Sequence, residues 1–197
     1  PLGTDGLKAH AVCCEAALRY GGVVLPPFYQ GLVGDANWGP PGWAGYTLGY
    51  NQPAVFEAAM LGVATALVHA GWRVLVGVTG HDVPEQRDAM ARAIVQASAA
   101  GFAVMEGELH TPDAEIPLSM DHAGAWETSC MLYLCPESAD LDALRGRALS
   151  GEETLDMHGP EGIGGLNPLQ YASAAMGRHI VERMGELIGA RAAGLLE

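Results

Sequence analysis

The chain has 197 residues and a mass of 20.5 kDa, enough for one domain with a sizeable core, since a chain of about 150–200 residues buries roughly 70% of its unfolded surface. Its formal net charge of −13 repels phosphate backbones and anionic headgroups, so no nucleic acid and no membrane partner is expected, whereas metal ions and neutral or cationic ligands suit it. Hydrophobic residues make up 49% and charged ones 17%, a balance that reserves part of the apolar surface for a subunit interface.

No apolar run approaches the ~20 residues of a membrane span. No Arg-led apolar stretch with a small-residue cleavage site opens the sequence either, so the expected location is cytoplasmic. Cys13, Cys14, Cys130 and Cys135 lack the paired CxxC spacing of a zinc knuckle and read as buried reduced thiols.

In chain order, Gly6 to Tyr20 is Ala- and Leu-rich and free of Pro, which predicts a helix with Asp5 available as its N-cap. Val23 to Leu25 is a short apolar run between glycines and prolines, the pattern of a buried strand ending near Pro26. From Pro27 to Gln52 nothing is periodic, and Gly, Pro and the aromatics Trp38, Trp43 and Tyr46 dominate. Such a stretch is either a lid or binding loop, with those aromatics against substrate, or a subunit-contact loop. Pro53 to Ala70 predicts a largely buried helix, Trp72 to Val78 a buried strand, Pro84 to Ala99 a helix, and Gly101 to Glu106 a strand.

A helix over Ala123 to Leu134 follows Asp121-His122 and ends before Pro136. Residues 137–167 read as an irregular excursion, and a long amphipathic helix is predicted from Pro168 to Leu195. The alternation of strand and helix implies right-handed crossovers, a parallel sheet and an α/β fold with helices on both faces. With no internal repeat and no low-complexity linker, residues 1–197 are expected to form a single domain.

In an open parallel sheet, ligands bind at the carboxyl ends of the strands. His81 follows the apolar run Val74 to Val78 closely enough to emerge at that edge, although a lone turn histidine is more often simply solvated. His122 and Glu127 straddle a loop-to-helix transition and can converge on one site. Glu127 has apolar neighbours in Trp126, Met131 and Leu132, so its carboxylate needs a partner, which a cation, an ion pair or a capping role would supply. Asp, His and Glu from separate loops are ligand types for zinc or manganese.

Three segments carry a more specific signal: PLGTD at 1–5, TGHD at 79–82 and DHAGAWETSCML at 121–132. In order and spacing they resemble the creatininase (creatinine amidohydrolase) family. The similarity extends to Gly162-Ile163-Gly164-Gly165-Leu166-Asn167-Pro168 and the helix after it. The resemblance implies a three-layer α/β/α fold with a mostly parallel central sheet, two divalent ions per chain, zinc and/or manganese, and a homohexamer. It implies that Asp5 bridges the metals, that His81 binds one and Glu127 the other, and that His122 is the catalytic histidine with Asp121 as its neighbour.

The implied chemistry is cleavage of a C–N bond in a small amide, lactam or formamide by metal-activated hydroxide. His122 passes a proton to the leaving nitrogen, and an adjacent carboxylate steadies the imidazolium. Relatives of this kind also include peptide-trimming enzymes.

The sequence departs from the family pattern in three places. Two further family ligands, a Glu and a His, come from a strand before PLGTD, so the sequence is expected to lack an N-terminal strand. Asp82-Val83-Pro84 replaces the usual residues after the histidine, which makes Asp82 a candidate substrate contact, and the aromatic loop lacks the family's FPGT segment. Creatinine itself is therefore not assigned as substrate. The competing readings are a catalytically silent scaffold or binding protein and a nucleotide-binding domain. The latter is disfavoured because no GxGxxG or GxxxxGK[ST] follows a strand.

Overall fold

The structure, a computed structural model, describes residues 3–32, 49, 50 and 52–197. Trp38, Trp43 and Tyr46 lie outside the described residues, so the binding-loop expectation falls there too. In chain order the elements are α1 (Thr4–Tyr20), β1 (Gly31–Leu32), β2 (Gly49–Tyr50), α2 (Pro53–His69), β3 (Val74–Thr79), α3 (Pro84–Gln96) and β4 (Ala100–Met105). They continue with α4 (Ala125–Leu134), a 3₁₀ turn (Pro136–Ser138), β5 (Thr154–Leu155), β6 (Gly165–Leu166), α5 (Pro168–Tyr171) and α6 (Ala174–Ala193).

The chain divides into two compact units, one formed mainly by residues 110–183 and the other by residues 5–34, 47–109 and 184–197. The second is built on the predicted β3-α3-β4 alternation. Strands β3 and β4 pair in parallel from Val74↔Ala100 to Thr79↔Met105, which makes this an α/β architecture. A shorter parallel pair joins Gly31–Leu32 to Gly49–Tyr50. Apolar side chains of α2 and α3 cover this framework in two clusters, one around Leu32, Phe56, Val83 and Ala89 and one around Ala64, Leu75 and Ile94. Pro53 and Pro84 each open their helix at a position where the missing N–H costs nothing.

The unit of residues 110–183 centres on α4, whose Ala125, Trp126, Cys130 and Met131 are buried. Strands β5 and β6 form a two-residue antiparallel ladder, so the segment predicted as irregular contains a short pairing.

Five expectations need correction. The helix predicted as largely buried from Pro53 is mostly exposed or half-buried, and within α2 only Phe56 and Ala64 are buried. Val23 and Leu25 are exposed, and residues 21–30 form no strand among the described residues. Pro26 and Pro27 lack the N–H groups that a ladder requires, which explains why an apolar run alone did not make a strand there. The predicted long C-terminal helix is broken at Ala172, whose ψ of 140° is extended, and Ser173 restarts it by accepting the N–H of Met176 at 3.1 Å. Asp5 lies inside the first turn of α1 rather than capping it, where its charge still complements the helix dipole. Of the four free thiols only Cys130 is fully buried.

Candidate functional site

Beyond the carboxyl end of β3, the chain turns through Thr79-Gly80-His81. Thr79 is saturated by this turn: its hydroxyl donates to the His81 carbonyl at 3.2 Å and accepts from the His81 N–H at 3.1 Å and from Gln86 Nε2 at 2.6 Å. Gln86 Oε1 in turn accepts the Leu32 N–H at 2.6 Å. Thr79 and Gln86 are both buried, so the polar network that shapes the turn is shielded from water. Gly80 has a steric reason to be glycine, because a Cβ there would collide with the backbone carbonyl of Asp5.

That close approach brings Asp5 to His81. Their side chains meet at 3.4 Å between Asp5 Oδ2 and His81 Nδ1, although the residues come from α1 and from the loop after β3. The other ring nitrogen, His81 Nε2, is buried and has no hydrogen-bond partner among the described residues. With the proton on Nδ1 facing the carboxylate, Nε2 presents its lone pair, the arrangement in which an imidazole binds a metal while a carboxylate fixes its tautomer. A buried, unpartnered nitrogen beside a carboxylate fits a borderline divalent cation. Asp82 follows in the same loop, half-buried.

Lys8 and Glu106 were not anticipated as site residues. Lys8 lies on α1 and Glu106 directly after β4, and they form a salt bridge of 3.1 Å with exposures of 0% and 1%. Lys8 Nζ also donates to the Gly80 carbonyl at 3.4 Å. On the same helix, burial first, then Cys14 and Glu106, push the Cys13 thiol up from its ordinary value of 9.0 to about 12, which leaves it an inert thiol at neutral pH.

In the unit of residues 110–183, the segment 121–129 is organised by its own side chains. Asp121 accepts the Trp126 N–H at 2.8 Å and the Glu127 N–H at 3.2 Å, so its carboxylate covers the amino end of α4. Glu127, 9% exposed, accepts the Ala123 N–H at 2.7 Å through Oε2, and Thr128 Oγ1 donates to the Ala123 carbonyl at 3.2 Å. Both backbone groups of Ala123 are thereby held, which sustains its φ of 54°, a left-handed conformation uncommon for alanine.

His122 is exposed, and its backbone exchanges two hydrogen bonds with Gly164, at 2.9 and 2.8 Å. Gly165, with φ 131°, packs where a Cβ would come within 2.7 Å of Asp121 Cβ. The same motif reaches further through Ser129, whose buried Oγ accepts the Ser173 N–H at 3.1 Å.

Of the residues expected to act, the structure thus brings Asp5 to His81 in one unit and Asp121, His122 and Glu127 into one turn in the other. Among the described residues, no three His, Cys, Asp or Glu side chains gather closely enough to hold a metal ion. No described helix is long and apolar enough to cross a membrane.

A crystal structure of a creatinine amidohydrolase (creatininase) superposes with a TM-score of 0.76 at 22% identity, covering 96% of this chain and 81% of that one. A manganese creatininase gives 0.75 at 22% identity, covering 96% and 82%. A variant creatininase of Zn-Zn type gives 0.72 at 22% identity, covering 96% and 81%. At these identities the likeness is one of fold. A search of curated proteins finds no match. The creatininase family profile, described as creatinine amidohydrolase, matches residues 1–191, and on that match the chain belongs to the creatininase family of amidohydrolases.

Proposed function

We propose that the protein is a metal-dependent amidohydrolase that cleaves the C–N bond of a small amide, lactam or formamide. The observation that carries this reading is the buried, unpartnered Nε2 of His81 beside the Asp5 carboxylate. Asp5 and His81 would hold one divalent ion, zinc or manganese, and the family resemblance adds Glu127 as a ligand of a second, about two ions per chain. Asp5 can serve both as ligand and as orienting partner of His81, because a carboxylate offers about four lone-pair sites. When bound, such ions lower the pKa of water and polarise an amide carbonyl.

The chain's own groups supply the rest. His122, exposed in the 121–127 turn, is the group that passes a proton to the leaving nitrogen. Asp121 fixes that turn by binding the amino end of α4, which sets where the backbone of His122 lies. Asp82, Trp38, Trp43 and Tyr46 are the proposed substrate contacts. The protein would act in the cytoplasm as a homo-oligomer, a hexamer by resemblance, with β3 and β4 within a three-layer α/β/α domain.

The test is turnover. Zinc- or manganese-loaded protein should hydrolyse a member of a panel of cyclic amides, formamides and short peptides, with creatinine as the first compound. Absence of hydrolysis across that panel with metal bound would favour a non-catalytic binding protein.

A further inference from the structure

A lysine and a glutamate buried together present a physical puzzle. Removing two charges from water carries a desolvation cost that their mutual attraction repays only in good geometry, and apolar residues of similar size are often at least as stabilising. Lys8 and Glu106 are nevertheless 0% and 1% exposed, at 3.1 Å from one another. Their connections suggest what the pair does. Lys8 lies one helical turn after Asp5 on α1, and its Nζ reaches the carbonyl of Gly80, the residue immediately before His81. Glu106 follows the end of β4, and its own N–H donates to the Thr79 carbonyl at 2.9 Å. The ion pair therefore ties together the helix that carries Asp5, the turn that carries His81 and the strand end alongside.

We propose that the Lys8–Glu106 ion pair is a positioning element that sets the distance and orientation of His81 relative to Asp5. Gly80 makes this coupling stiff, because the Asp5 carbonyl already occupies the space a Cβ would need. A small displacement of the Gly80 carbonyl thus moves His81 directly against Asp5. The proposal rests on the metal-holding reading of His81 for its consequence, and on the geometry of the chain's own residues for its cause.

The experiment compares the full chain with the double variant Lys8→Met/Glu106→Leu, which replaces the pair by apolar groups of similar size, and with Glu106→Asp, which keeps both charges but shortens one arm. Three quantities are read: the thermal midpoint, the affinity for Zn²⁺ by calorimetry, and the ¹⁵N ring shifts of His81 in metal-free protein at one fixed pH. The double variant is expected to keep or raise the midpoint, to weaken Zn²⁺ binding about tenfold or more, and to shift the His81 ring signals. Glu106→Asp should weaken Zn²⁺ and shift His81 in the same sense by a smaller factor, and it decides the matter if the double variant does not fold.

Wild-type Zn²⁺ affinity together with superimposable His81 signals in a folded variant would overturn the proposal. A wild-type protein that binds no Zn²⁺, but whose His81 signals still move in the variants, would count against the metal reading and leave the positioning role standing.

Discussion

The two places that carry the candidate chemistry are built in opposite ways. Asp5 and His81 are far apart in sequence and meet because α1 presses its first turn against a glycine after β3, with a buried ion pair and the Thr79-Gln86 network fixing the loop. Asp121, His122 and Glu127 are neighbours in sequence, and their turn is held by their own carboxylates on nearby N–H groups. In the first, side chains pair with side chains and one imidazole nitrogen is buried without a hydrogen bond among the described residues. In the second, backbone N–H groups donate to the carboxylates, and His122 is exposed. Tertiary packing thus shapes a ligand-like pair, while local capping presents a proton-transfer group on a fixed backbone.

Substitutions that strike one region and spare the other sharpen this contrast. The largest effect is expected from His122→Ala, which should cut turnover by about 10²–10⁴-fold while leaving bound zinc unchanged, read by steady-state kinetics with metal analysis. Equal loss of zinc would break the division of labour. Asp121→Ala should destabilise by about 1–3 kcal/mol in urea unfolding, because the Trp126 and Glu127 N–H groups lose their acceptor at a buried helix end, yet Zn²⁺ binding that depends on His81 should persist. Ser173→Ala removes the cap that restarts α6 and should cost about 1 kcal/mol by the same measurement, without changing activity per folded molecule.

The smallest effect near neutrality concerns Cys13. Its folded pKa lies above the ordinary value, so the folded state holds the thiol proton more tightly, and this contribution is intact below pH 9.0 and is lost as pH rises towards about 12. Cys13→Ala should flatten the alkaline fall in stability, and native protein at pH 8 should resist iodoacetamide at Cys13 by comparison with urea-unfolded protein.

Much of this was legible in the sequence, for identifiable reasons. The β3-α3-β4 unit follows from apolar runs of strand length separated by a Pro-led helix, and His81 fell at the carboxyl edge because strand ends are easy to mark. The 121–129 segment was visible as a motif, but not the function of its parts, since Asp121 reaches N–H groups five and six residues ahead, beyond ordinary capping spacing. Lys8 carries no signal of its own, because a lysine in an Ala-rich helix ordinarily reaches water, and only the packed structure reveals Glu106 opposite it. Val23 to Leu25 misled because hydrophobicity marks what prefers burial, whereas a strand also requires a partner and free N–H groups.

The central claim is that His81 offers a metal-binding nitrogen oriented by Asp5. It is tested most directly by measuring Zn²⁺ and Mn²⁺ bound per chain in the full protein beside His81→Ala. About two divalent ions in the wild type and a clear loss in the variant are predicted, and equal occupancy in both proteins, or none in the wild type after metal supplementation, would contradict the account.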